Sequence, residues 1–151
     1  MPNQPDFTDI ESVPAAGRLV ALDPGTKRVG VAVSDKLQKT VKREKTIKRT
    51  SWKKLLLEVS LTIAGYDAVG LIVGLPFNFD GSESEMSAEA RQMARKFGLS
   101  LDIPVILQDE RTTTYQARRN LWDTGKNEKE VRRLVDSEAA AIILEDFLSL
   151  R

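Results

Sequence analysis

The side chains available for chemistry in this sequence are carboxylates, lysines and hydroxyls, because the chain contains no cysteine and no histidine. Disulfide scaffolds, thiolate zinc sites, cysteine nucleophiles and histidine-based catalysis are therefore excluded. Acidic residues at three separated places remain as candidates for a reactive site: Asp23, the adjacent pair Asp109 and Glu110, and Asp136.

Asp23 closes a short apolar run that begins at Leu19, and Pro24 and Gly25 follow it directly. The run predicts a buried strand, so the carboxylate is expected at the end of a strand inside a sheet. The local alternative is structural, because Asp-Pro-Gly is also an ordinary turn sequence.

Asp109 and Glu110 end the last predicted strand, which begins at Ile103. Ligands of open α/β sheets bind outside the carboxyl ends of parallel strands, so a carboxylate there is expected to face a site. Asp109 or Thr112 could instead cap the helix that follows.

Asp136 lies on a predicted C-terminal helix, at the edge of its apolar face. It shares that edge with Ala140 and Ile143, so it should lean toward the sheet and need a metal, an arginine or a polar cluster as partner. The small side chains at 139–141 allow a close approach to the sheet. The alternative is that Asp136 or Ser137 caps a new helix after a break.

Taken together, these acids suit a hard divalent cation, which prefers oxygen ligands. A pair of such ions about 4 Å apart can activate water and stabilise the leaving oxygen when a phosphodiester is cleaved. That chemistry requires neither histidine nor cysteine.

The apolar pattern predicts nine elements in the order β-β-β-α-β-α-β-α-α, with Gly65 and Gly98 ending the first two helices. Three antiparallel strands followed by strands that alternate with helices indicate an α/β fold, a mixed sheet with helices on both faces. Residues 1–17 carry three prolines and no apolar period, which predicts a flexible tail before a single domain over 18–151.

Four ordered segments of the sequence resemble motifs of the YqgF/RuvX family. They are DPGTKRVGVA at 23–32, VGLPFNFDGS at 73–82, DERTTT at 109–114 and DSEAA at 136–140. The family is described as Holliday-junction resolvases or as nucleases that process pre-16S ribosomal RNA. The resemblance implies an RNase H-like fold and divalent-metal-dependent phosphodiester hydrolysis.

The resemblance also assigns roles to the acidic residues. It implies Mg²⁺ or Mn²⁺ held by Asp23, Asp109, Glu110 and Asp136, with Asp23, Glu110 and Asp136 catalytic. We favour Glu110 over Asp109 as the ligand because its side chain reaches further past the strand end.

A basic strip between Lys36 and Lys54 holds nine lysines and arginines against one acid, Glu44. Such a strip can bind a phosphate backbone, or it can be a solvated edge strand. A second basic group, between Arg118 and Arg133, is mixed with acids and is predicted to be solvated helix surface. The residues predicted to bind nucleic acid are Lys27, Arg28, Lys39, Lys42, Arg43, Lys45, Asn78 and Arg111.

The resemblance, taken with the acidic residues and the basic strip, thus implies a cytoplasmic endonuclease acting on structured nucleic acid, most simply at the 5′ end of pre-16S rRNA. Branched DNA is the alternative substrate, and a homodimer is left open. A non-catalytic nucleic-acid-binding module is a second hypothesis, because fold alone does not imply activity. Nucleotide binding at Asp23, Gly25 and Thr26 ranks lower, because related ATPases clamp ATP between two domains. No membrane partner is expected, since no long apolar segment is present.

Overall fold

The computed structural model describes residues 10–76, 80, 82–110 and 113–151, with the backbone alone for 113–115. A short 3-10 helix, Ile10–Ser12, precedes six strands and four helices in these ranges. The strands are β1 Leu19–Pro24, β2 Arg28–Ser34, β3 Val41–Arg43, β4 Ile47–Lys48, β5 Gly70–Leu75 and β6 Val105–Asp109. The helices are α1 Trp52–Tyr66, α2 Glu85–Ser100, α3 Thr113–Asp123 and α4 Glu128–Ser149. None of these helices combines the length and the apolarity needed to span a membrane.

The strands form one mixed sheet in the order β3-β2-β1-β5-β6, with β4 also paired to β2. Neighbours among the first four strands are antiparallel, whereas β5 lies parallel to both β1 and β6. The predicted mixed α/β sheet is therefore confirmed. Its central strands β1 and β5 are continuous apolar runs because helices cover both of their faces.

Alternation along each strand gives the sheet two apolar faces, each with its own core. A third, smaller core lies between α3 and α4. Val20, Leu22 and Val73 face the side covered by α1 and α2, where Phe97 is fully buried. Ala21 and Ile72 face the opposite side, where α4 packs against the sheet through residues such as Ile143. Alternation therefore also places the side chain of Asp23 on the α4 side.

Three local features differ from the expectations. The third predicted strand is two short pieces, β3 and β4, at the sheet edge. Helix α1 continues through Gly65 and ends at Asp67, whose φ of 54° gives the left-handed cap usually supplied by glycine. Helix α2 continues through Gly98, because Leu101, one turn beyond the buried Phe97, packs on the same core.

The predicted tail is shorter than expected, because residues 10–17 pack against the domain. Val13 is buried in the core on the α4 side. The guanidinium of Arg151, near the end of the chain, donates hydrogen bonds to the carbonyls of Pro14, at 2.8 Å, and Val13. Ile10 and Val13, which pack on the same core, are too few to give a periodic signal, so the sequence pattern missed this packing. Residues 1–9 lie outside the described residues.

Candidate active site

Asp23 and Asp136 are brought together by the pairing of β1 with β2. Asp23 lies directly opposite Gly30 in the antiparallel register. A Cβ atom on Gly30 would lie 1.9 Å from the backbone oxygen of Asp136. Only glycine therefore lets α4 approach β2 at this point, and that approach places Asp136 beside Asp23.

The rest of α4 fits the sheet by the same use of small residues. Ala139, Ala140 and Ala141 are fully buried. Further along the helix, Ile143 fills the space above Gly74, where a Cβ atom would lie 2.4 Å from its Cδ1. The position of Asp136 is therefore fixed by several contacts along one rigid helix.

The electrostatics of the pair follow from burial and from like charge. Burial, followed by repulsion from Asp136, raises the pKa of Asp23 from 3.8 to about 7. Two carboxylates in one partly desolvated place disfavour each other's ionised forms. A bound cation would remove this penalty, so the environment of Asp23 fits a metal-ligand role.

Arg28 contributes a positive charge on the outer side of the pair. Its Nε donates a hydrogen bond of 3.1 Å to Oδ2 of Asp136. The arginine side chain remains about half exposed, at 48 %, whereas that of Asp136 is 21 % exposed. Arg28 therefore orients Asp136 while keeping contact with solvent, where a phosphate would approach.

The two acidic residues at the end of β6, Asp109 and Glu110, differ in the face of the sheet that they occupy. Ile106 packs in the core on the α4 side and Leu107 in the opposite core. The backbone N–H of Glu110 donates to Leu75, which continues the β6 ladder by one residue. Alternation then places Glu110 on the α4 side together with Asp23, and Asp109 on the other side.

The structure brings two of the three predicted acidic positions together. Within the described ranges, no three acidic, histidine or cysteine side chains form a group able to hold a metal ion. Glu110 lies two strands across the sheet from Asp23 and two residues further toward the carboxyl end of the parallel strands. At standard strand spacings the two Cα atoms are therefore about 12 Å apart. The Asp23–Asp136 pair fits a hard cation in donor type and charge, and Glu110 lies on the correct face.

The basic residues predicted to bind nucleic acid fall into two groups. Arg28, Lys42 and Arg43 make ion pairs within the chain: Lys42 with Glu44 at 3.2 Å, and Arg43 with the buried Glu138. Lys27, Lys39 and Lys45 are exposed. The paired arginine Arg43 therefore also has a structural role, holding the sheet edge against α4.

The basic strip, residues 36–54, runs across the edge of the sheet, and only part of it lies near Asp23 and Asp136. Ser34 pairs with Val41, so Lys39 lies at the end of β2 remote from Gly30. Lys45 lies between the β3 and β4 pairings, close to the level of Gly30. Asn78 and Arg111, also predicted to contact nucleic acid, lie outside the described residues.

Comparison with known proteins identifies the family of this chain. A family model described as "RuvX: Holliday junction resolvase" matches residues 17–150. The chain belongs to the RuvX family. The resemblance inferred from the four motifs is therefore confirmed, and so is the predicted class of enzyme, a nuclease.

RuvX relatives with similar sequences cover most of this chain. A protein of Rhodopseudomonas palustris (strain BisB18), named "Putative pre-16S rRNA nuclease", is 37% identical over 135 residues, which is 89% of this chain and 83% of that protein. A protein of the same name from Rhodobacter capsulatus is 35% identical over 147 residues, 97% of this chain and 91% of that protein.

Solved structures similar to this RuvX chain confirm the RNase H-like fold expected from the motifs. Thermus thermophilus RuvC in complex with a Holliday junction superposes with a TM-score of 0.52 at 14% identity, covering 89% of this chain and 95% of that one. The fowlpox virus resolvase in complex with junction DNA gives 0.53 at 14% identity, covering 88% and 97%. At this identity the likeness establishes the fold alone.

The sequence missed one part of this candidate site. The ion pair between Arg28 and Asp136 joins residues 108 positions apart, and neither residue alone predicts the other. The signal that was available is Gly30, whose place in a β-rich run indicated close packing against another element. The element that packs there is α4.

Proposed function

We propose that this RuvX protein is a divalent-metal-dependent endonuclease whose carboxylates Asp23, Glu110 and Asp136 bind Mg²⁺ or Mn²⁺. The observation that carries the proposal is the placement of Asp136 beside the half-buried Asp23 across Gly30. Placing two carboxylates together where one is desolvated is unfavourable for the protein alone, and a cation offsets it. Glu110 supports the proposal through its place on the same face of the sheet.

The residues of the chain have distinct roles in this proposal. Asp23, fixed at the end of β1, and Asp136, fixed by α4, present oxygen ligands from two rigid elements. Arg28 holds Asp136 in orientation through its hydrogen bond of 3.1 Å. A bound divalent ion would supply activation of water and stabilisation of the leaving oxygen, as in other phosphodiester hydrolases.

We propose pre-16S rRNA as the substrate, cleaved near its 5′ end. The support comes from the relatives with 35–37% identity that are named for this RNA and span nearly the whole chain. We propose that the exposed Lys27 and Lys45 contact the phosphate backbone, because both lie near the edge of the sheet where Asp23 pairs with Gly30.

Cleavage of a ribosomal precursor RNA tests the activity directly. The wild-type protein should cut the precursor in Mg²⁺ or Mn²⁺ and be inactive in EDTA. Asp23→Asn should lower the rate by a factor of about 100 or more, since a lost ligand removes several kcal/mol of transition-state stabilisation. Unchanged cleavage by Asp23→Asn would refute the mechanism.

Separate substitution of Asp109 and Glu110 tests which of the two is the metal ligand. Because Glu110 is on the α4 face and Asp109 on the opposite face, Glu110→Gln should reduce cleavage as strongly as Asp23→Asn, with Asp109→Asn retaining most activity. Both substitutions remove one negative charge and keep the side-chain shape, so each serves as the control for the other. The reverse ranking would assign the ligand to Asp109.

A second candidate function is resolution of branched DNA. The description of the family model favours it, since that description names Holliday junctions. Parallel assays of a four-way DNA junction and the precursor RNA decide between the two substrates. Light scattering in the same samples tests the homodimer that the sequence left open.

A further inference from the structure

A groove of about 890 Å³ lies between the β3–β4 edge and the helices α3 and α4. Residues 43–46 form one wall, and the end of α3 with the turn after it forms the other. Leu121 and Leu134 supply apolar surface in the groove. It is thus separate from the Asp23–Asp136 pair but shares the helix α4 with it.

The charge of the groove is positive once its internal ion pairs are considered. Its two acids are already neutralised: Glu138 binds Arg43, and Glu44 binds Lys42 from outside the groove. The remaining cations are Lys45, Lys126 and Arg133. Among the described residues none of these three makes a salt bridge, so their charges are available to an anionic ligand.

The groove begins next to the candidate active site. Ser137, which lines it, directly follows Asp136 and donates a hydrogen bond of 2.7 Å to the carbonyl of Glu44. Arg133 precedes Asp136 by three residues, which is about 5 Å along the helix axis. Lys45 lies on the facing wall near the level of Gly30.

We propose that this groove binds the phosphate backbone of the nucleic-acid strand adjoining the bond that is cleaved, with Lys45, Lys126 and Arg133 as the phosphate contacts. The inference rests on the proposed nuclease function and adds a binding surface to it. It also revises the sequence interpretation of Lys126 and Arg133, which were predicted to be ordinary solvated helix surface.

The test measures binding without cleavage. A fluorescein-labelled RNA hairpin with a single-stranded 5′ extension is titrated with protein in EDTA at several salt concentrations. Each phosphate contact contributes about 0.7–0.9 to the slope of log affinity against log salt. The variant Lys126→Ala/Arg133→Ala should therefore lower that slope by about 1.5 and weaken binding at 0.1 M salt by about 25- to 60-fold.

The matched control removes two charges from the exposed face of α4, away from the groove. Lys129 and Arg132 are exposed, do not line the groove, and Arg132 pairs with Glu128. Lys129→Ala/Arg132→Ala should leave the salt slope within about 0.5 of wild type. Circular dichroism of both variants confirms that they are folded.

The outcomes separate this inference from the proposed function. A groove variant that binds like wild type, or like the control variant, overturns the groove assignment and leaves wild-type cleavage of RNA as an independent result. Wild-type protein that binds no RNA in EDTA overturns the groove assignment, and the separate cleavage assay in Mg²⁺ or Mn²⁺ decides the nuclease proposal. If RNA affinity and its salt slope fall in the groove variant but not in the control variant, the groove assignment is supported, whatever the metal dependence of cleavage proves to be.

Discussion

Substitution of Asp23 by asparagine should make the metal-free protein more stable. Burial and the nearby Asp136 raise the pKa of Asp23 from 3.8 to about 7, so the ionised carboxylate destabilises the folded state. Asparagine has nearly the same shape and no charge. The residue proposed as essential for activity is therefore expected to lower stability when no cation is bound.

The sign and size of the effect follow from proton linkage. The folded state binds the Asp23 proton more tightly than the unfolded state, so the penalty is absent below about pH 4, grows as the pH rises, and is complete above about pH 7. Each pKa unit corresponds to about 1.4 kcal/mol, so the complete destabilisation by ionised Asp23 is about 4 kcal/mol. Between about pH 5 and pH 8 the advantage of Asp23→Asn should grow by about 2.5 kcal/mol.

Urea unfolding in EDTA at several pH values measures this difference. Asp35→Asn serves as a control of opposite sign, because Asp35 accepts backbone hydrogen bonds from Thr40 at 2.9 Å and from Lys39 at 2.7 Å. These bonds hold the pKa of Asp35 below 3.8, so its stabilising effect is present above that pH and is lost as the pH falls. Asp35→Asn should therefore destabilise the protein at neutral pH.

Addition of Mg²⁺ or Mn²⁺ extends the same experiment. The cation should raise the free energy of unfolding of wild-type protein more than that of Asp23→Asn. If the stability difference between the two proteins stays constant from about pH 5 to pH 8 in EDTA, Asp23 is not desolvated in the folded protein and the reasoning fails.

Two further substitutions test the packing that builds the site. Gly30→Ala should destabilise the protein by about 2–3 kcal/mol and abolish cleavage, because the added Cβ atom would lie 1.9 Å from the backbone oxygen of Asp136. The control is Gly65→Ala, where the added Cβ atom meets open space, and it should be neutral or stabilising in urea unfolding. Arg43→Ala should lower the free energy of unfolding by about 1–3 kcal/mol, because it leaves the buried Glu138 unpaired. The control Arg132→Ala, which breaks an exposed pair with Glu128, should lower it by less than about 1 kcal/mol in the same assay.

The sequence by itself determined the elements and their arrangement as a mixed sheet. Continuous apolar runs predicted β1 and β5 as covered strands, and helical spacing predicted α1, α2 and α4. Glycine was a poor indicator of helix ends, since α1 and α2 pass through Gly65 and Gly98. Packing of the apolar face decided those ends, and a local pattern does not contain that information.

The sequence also located the acidic residues, but not their distances from one another. Strand ends and an amphipathic edge marked Asp23, the pair Asp109 and Glu110, and Asp136 as candidates. Only the register of β2 on β1, together with the close approach of α4 at Gly30, decided that Asp136 lies beside Asp23. The strand register likewise decided that Glu110 stands further away.

The division between local and tertiary information is clearest for the charges. Counting residues identified a basic strip, because composition is a local property. Which cations are already paired depends on contacts between distant segments, such as Arg43 with Glu138 and Arg28 with Asp136. Only the folded chain shows which positive charges remain for a ligand, since Coulomb interactions depend on distance in space and not along the sequence.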